Sequence, residues 1–102
     1  MEKWADYLVT KVRFEQDRRH IRHVRVRQEG MHGLEPEREF TRAELVRSID
    51  YGRTFVTAFL DAEKSTFQKG GQLRIVDVDG AKYVRVDENK VKKDDLGGIP
   101  EC

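Results

Sequence analysis

Residues 73–86 read LRIVDVDGAKYVRV, and this stretch decides the class of fold. Two runs, Leu73 to Val78 and Lys82 to Val86, flank Asp79-Gly80, a dipeptide that suits a two-residue type I′ turn because both of its central residues need positive φ. Apolar and charged side chains alternate along both runs. That period of two describes strands with one buried and one solvated face.

The same alternation recurs upstream. Leu8, Thr10, Val12 and Phe14 are expected on one face of a strand with Lys11 and Arg13 on the other; Val24 and Val26 face inward in a second, with His23, Arg25 and Arg27 outward. The polar segment Glu15 to Arg19 between them is short enough for an antiparallel hairpin. Thr54 to Leu60 is apolar on both faces, as in a central strand covered on both sides. One helix is written between these strands. Thr41 followed by Glu44 forms a capping box, Phe40 and Leu45 a hydrophobic staple, and Gly52 a stop, which predicts a helix over about residues 42–51. Residues 29–39 hold Gly30, Gly33 and Pro36 among charges without periodicity and read as a loop, the most mobile internal segment expected. Gly70-Gly71 and Gly97-Gly98 read as turns.

The expected architecture is therefore α+β. It is a small, strongly bent antiparallel sheet or partly open barrel of five strands in the order ββαβββ, with one helix. Residues 1–102 form one domain, and residues 88–102 an extended polar tail anchored at Leu96 and Ile99.

Composition narrows the class of function. Charged residues make up 38% of the 102, against about 25% in an ordinary domain, yet the net charge is only +1, so no strong global field draws the chain to nucleic acid or membrane. No apolar run approaches the ~18 residues of a membrane span, Met1 to Asp6 lack the apolar stretch of a signal peptide, and a cytoplasmic setting is the expectation. Cys102 is the single cysteine, which excludes a disulfide framework. Charge is nevertheless unevenly placed. Lys11 to Arg27 carries seven Lys or Arg against Glu15 and Asp17, a local +5, whereas residues 87–102 sum to −2; the neutral total conceals a dipolar molecule if those ends lie apart.

The basic hairpin is the sharpest candidate site. Lys11, Arg13, His23, Arg25 and Arg27 are expected on one solvent face, with Arg74 and Arg85 joining them if the second hairpin lies near. Several guanidinium forks along one ribbon suit a phosphate backbone. The plainer reading is a solvated strand face in a chain charged everywhere, with no aromatic securely interleaved to stack bases.

Other candidates are weaker. The acidic belt Asp77, Asp79, Asp87, Glu88, Asp94 and Asp95 lacks the spacing of a calcium loop, and His20 and His23, three apart in a strand, would face opposite sides. His32 has no partner near in sequence. No Ser, Thr or Cys lies in a nucleophile elbow or beside a histidine in sequence, and Cys102 reads as an exposed, unreactive thiol. No catalytic residue, metal or cofactor is expected.

Ala5-Asp6-Tyr7 with Val12-Arg13-Phe14, Gly52-Arg53-Thr54-Phe55-Val56-Thr57, Gly80-Ala81-Lys82-Tyr83-Val84-Arg85 with Asp87 and Asn89, and Asp95-Leu96-Gly97-Gly98-Ile99-Pro100-Glu101 together carry a resemblance across nearly the whole chain. The sequence resembles a small bacterial domain-of-unknown-function family, number three-eight-nine-two in that series. It departs in a longer loop around Met31 to Glu39, in Val86 where that family often has Thr, and in Cys102 where an aromatic is common. The resemblance implies a bacterial, cytoplasmic, single-domain protein whose tail belongs to the fold, with Leu96 and Ile99 docked on the sheet and side-chain hydrogen bonds fixing the bend at Asp87 to Asn89. It implies no activity. Two readings stay open: a non-catalytic module binding nucleic acid through the basic hairpin, or an accessory module recognising an acidic or extended protein partner at a sheet edge or by self-association as a homodimer.

Overall fold

The computed structural model describes residues 5–30, 33–61, 63 and 66–102. The element order is β1 (Tyr7–Phe14), β2 (Ile21–Gly30), β3 (Gly33–Leu34), β4 (Arg38–Thr41), α1 (Arg42–Asp50), β5 (Phe55–Asp61), β6 (Thr66–Gln72), β7 (Arg74–Val78) and β8 (Ala81–Arg85). Strands dominate and α1 is the only helix among the described residues. A radius of gyration of 13.3 Å is close to the ~13 Å of a compact chain of this length. No described helix is long and apolar enough to cross a membrane.

The local signals produce the elements they predict. Thr41 Oγ1 accepts from the Glu44 backbone N–H (3.2 Å) and Glu44 accepts from the Thr41 N–H (3.1 Å), a complete capping box. Those bonds also hold the Glu44 carboxyl below its ordinary pKa, the Thr41 backbone N–H being the main cause. Phe40 and Leu45 are both buried, as a staple requires. Asp79 and Gly80 both take positive φ (52° and 83°), and β7 and β8 pair antiparallel across them.

The sheet itself differs from the expected one. β1 and β2 form the expected antiparallel hairpin, but β1 also pairs parallel with β5, Tyr7 opposite Phe55 and Val9 opposite Thr57, so the sheet is mixed rather than antiparallel. Its path runs β3-β2-β1-β5-β6, with β4 also on β2, and β7–β8 form a separate two-stranded sheet. The described residues form eight strands rather than the expected five. Residues 33–34 and 38–41, of which those up to 39 are expected as loop, pair with β2, and residues 66–72 pair with β5. These segments lack periodicity because they are strands by virtue of a partner's free backbone groups, not of an apolar face. Gly70 lies inside β6, not in a turn: a Cβ there would run into Thr57 Oγ1 and the Phe59 ring.

The core forms around β1, β2, β5 and α1. Val9, Val12, Val24, Val26, Leu45 and Phe55 are completely or almost completely buried, and Tyr7 stacks on Phe55 (4.9 Å) beside Phe40 (5.3 Å). Strict alternation fails once in β1. A bulge at Thr10, between the Val9 and Lys11 pairings, puts Val9 and Val12 into the core cluster and leaves Leu8 outside it, opposite Arg27.

The tail completes the fold. Leu96 and Ile99 are buried in the core, and Asp87 accepts from both the backbone N–H and the side-chain amide of Asn89 at the bend. The tail pairs with β8 through Val86 N–H to Asp95 O (3.1 Å) and Asp95 N–H to Val84 O (2.9 Å). It then pairs with β1 through Val12 N–H to Pro100 O and Cys102 N–H to Val12 O, both 3.0 Å. It thus joins the two sheets by backbone hydrogen bonds.

Candidate nucleic-acid interface

Cross-strand register builds the basic face. Lys11 lies directly opposite Arg25, and Arg13 opposite His23, while Val12 lies opposite Val24 on the core face. Directly opposed residues share a face, so Lys11, Arg13, His23 and Arg25 stand together, and Arg27, two residues along β2 from Arg25, continues the row opposite Leu8. β4 extends the row. Glu39 pairs with Arg25 and Thr41 with His23, so the rows read Lys11, Arg25, Glu39 and Arg13, His23, Thr41.

Several of these cations are already engaged. Glu39 Oε1 lies 3.2 Å from His23 Nε2 and 3.9 Å from Arg25 Nη2. Arg13 donates to the Cys102 carbonyl (3.0 Å), and Arg27 to the Glu35 carbonyl (2.9 Å). Beside them Arg18 makes a two-pronged contact with Glu101 (2.7 and 2.8 Å) that holds the Glu101 carboxyl below its ordinary pKa. Arg25 Nε is buried without a hydrogen-bond partner among the described residues. Lys11 has no salt bridge among the described residues.

Arg74 and Arg85 lie elsewhere. They oppose each other on β7 and β8, in the second sheet, and not on the β1–β2 face. Arg74 is half-exposed and meets Glu88 (2.8 Å). Arg85 is buried, 4% exposed, and is held by Asp87 (2.6 and 3.1 Å) and the Lys93 carbonyl (2.7 Å). These contacts, Asp87 foremost, raise its pKa and depress that of Asp87.

No family model, curated protein or solved structure matches this chain. Its chemistry has to be drawn from its own geometry.

The acidic belt is dispersed rather than clustered. Asp79 meets Lys92 (3.0 Å), and Asp94 is buried completely, accepting from the Ile21 and Val84 backbone N–H groups (2.7 and 2.9 Å) and from Arg42 Nε (2.8 Å) and Nη2 (3.1 Å). Asp94 also raises the Arg42 pKa through that hydrogen bond. No group of three or more His, Cys, Asp or Glu among the described residues is placed to hold a metal ion. His32 and Ser65 lie outside the described residues.

Sequence reading missed two features. Cys102 has no histidine near it in sequence, yet its Sγ lies 3.6 Å from His23 Nε2, brought there by the pairing of the tail with β1. Asp94 sits in a polar run, Lys92-Lys93-Asp94-Asp95, that reads as solvated. The Asp-Leu-Gly-Gly-Ile-Pro-Glu stretch after it was the available signal that the tail is folded.

Proposed function

We propose that this protein is a non-catalytic binding module whose basic β1–β2 face engages nucleic acid. The observation that carries the reading is the direct opposition of like charges at Lys11 and Arg25, with Arg13 opposite His23 beside them and Glu39 as the acid on the shared rows. Such opposition costs stability and is relieved when a polyanion lies along the ribbon. The reading includes a sheet bent into a partly open barrel, with the tail spanning from β8 to β1, and the bacterial, cytoplasmic setting of the family it resembles. Arg85 supports the fold in this reading, not the contact with ligand.

The test is binding of mixed single- and double-stranded oligonucleotide pools by fluorescence anisotropy at two salt concentrations. With about four phosphates engaged, affinity falls about a hundredfold between 50 and 200 mM salt, and Arg25→Ala with Arg27→Ala weakens it further. No binding at low salt eliminates the reading.

A second reading, recognition of an extended protein partner or of another copy, is favoured by β6. This seven-residue strand is an edge of the main sheet and carries a single charge, Lys69, the usual protection of edges being sparse along it. A dimer mass in light scattering that is lost on Gln68→Pro supports it.

A further inference from the structure

An open groove of about 930 Å³ runs along α1 and faces the β7–β8 turn, and it shares no residue with the basic β1–β2 face. Arg42, Arg47, Asp50 and Tyr51 line its helical wall, with Lys82 and His20 across from them. Tyr51 is 86% exposed, the most exposed large hydrophobic among the described residues. A lone exposed aromatic is ordinary; its neighbours give this one meaning.

Arg47 lies one helical turn before Tyr51, a rise of ~6 Å, and has no salt bridge or side-chain hydrogen bond among the described residues. Arg42, at the start of the helix, uses Nε and Nη2 on Asp94 and the Lys82 carbonyl, and no bond is made by Nη1 among the described residues. His20 is braced by Asp17 through Nδ1 (2.8 Å) and stacked on Tyr83 (5.7 Å between ring centres), with Nε2 uncommitted among the described residues. The cations run the length of the helical wall, Arg42 at the first residue of α1 and Arg47 in its last turn, and the aromatic Tyr51 stands at the C-terminal end within one turn of Arg47. Beside Tyr51, Lys82 Nζ and Asp50 Oδ2 sit 3.1 Å apart. They place a donor and an acceptor side by side, the complement of a nucleobase edge but of nothing on a plain phenyl ring.

We propose that this groove binds a nucleoside phosphate, with the base stacked on Tyr51 and read at its edge by Lys82 and Asp50, and the phosphate on Arg47 with Arg42 and His20 behind it. The ligand is a free nucleotide or the phosphorylated end of a strand. The chemistry is shared, and a tetranucleotide separates the two sources.

The experiment is a titration of the full chain, followed by amide chemical shifts, with adenosine and uridine monophosphates, ribose 5-phosphate, adenosine and phosphotyrosine. A nucleoside monophosphate moves the Arg47, Tyr51 and Lys82 amides and binds about tenfold or more tighter than ribose 5-phosphate or adenosine alone. Tyr51→Ala and Arg47→Ala each weaken it about fivefold or more while Tyr51→Phe keeps it, with the fold checked by circular dichroism. A 5′-phosphorylated tetranucleotide binding tighter than the monophosphate makes a strand end the source, and equal binding makes it the free nucleotide; either upholds the site. Arg25→Ala with Arg27→Ala leaves monophosphate binding unchanged, so failure of the basic-face reading and failure of this one are told apart. No shifts at about 10 mM monophosphate, shifts confined to other residues, or phosphotyrosine binding equally well overturns it.

Discussion

The first hairpin and the C-terminal tail are opposites in sequence and exchange roles in the structure. The hairpin has clear alternation and a core face, but its other face places Lys11 against Arg25. The tail has no periodicity and is polar, yet Asp94, Leu96 and Ile99 are buried and its backbone joins both sheets. The two ends also meet. Arg18 binds Glu101 and Arg13 binds the Cys102 carbonyl, so the +5 of the hairpin and the −2 of the tail are in contact rather than at opposite poles. A chain can thus place a buried, fully bonded carboxylate in its least patterned segment and leave two like charges opposed in its best patterned one.

The contrast is broken most directly at Asp94. Asp94→Ala removes four hydrogen bonds from β2, β8 and α1 and leaves Arg42 without its partner. Loss of one partner of a buried pair costs about 3 kcal/mol, which in a domain of this size lowers Tm by about 15 °C in a thermal melt. An unchanged Tm would show that the tail is not integral. Leu96→Ala comes next, at about 2–3 kcal/mol for a fully buried leucine, read as a shift in urea midpoint. Deleting residues 94–102 is expected to cost more than either.

The hairpin side should respond weakly and with opposite sign. Lys11→Glu replaces the like charge opposite Arg25 with a complementary one and is expected to stabilise by about a few tenths of a kcal/mol, while weakening oligonucleotide binding. Destabilisation by Lys11→Glu would contradict the strain assigned to that row. The smallest effect belongs to the β1–β2 turn. Asp17 accepts from the Arg19 backbone N–H (2.8 Å) foremost and from the His20 ring, and its pKa is lowered to about 2. A carboxyl depressed in the folded state contributes stability that is complete above its ordinary value of 3.8 and is lost as pH falls toward about 2. Melts of Asp17→Asn between about pH 5 and pH 2 should therefore be flatter than those of the parent chain, and parallel curves would refute the role of Asp17.

Legibility followed the range of the forces. Thr41 and Glu44 are three residues apart, Asp79 and Gly80 adjacent, and Lys11, Arg13, His23 and Arg25 were placed on one face by period alone. Arg74 and Arg85 could not be assigned that way, since whether a second hairpin joins the first is a matter of packing. The same limit hid the parallel pairing of β1 with β5 and the strands β3, β4 and β6, which borrow their order from a neighbour.

The sequence by itself determined the helix with its cap, the two hairpins with the turn at Asp79-Gly80, and the shared face of the basic residues, because each depends on groups a few residues apart or on an alternation the backbone imposes. Only the tertiary structure decided that Asp94 is buried. Its partners Ile21, Arg42 and Val84 are 73, 52 and 10 residues away, and a carboxylate leaves water only where donors from several elements converge to replace its hydration.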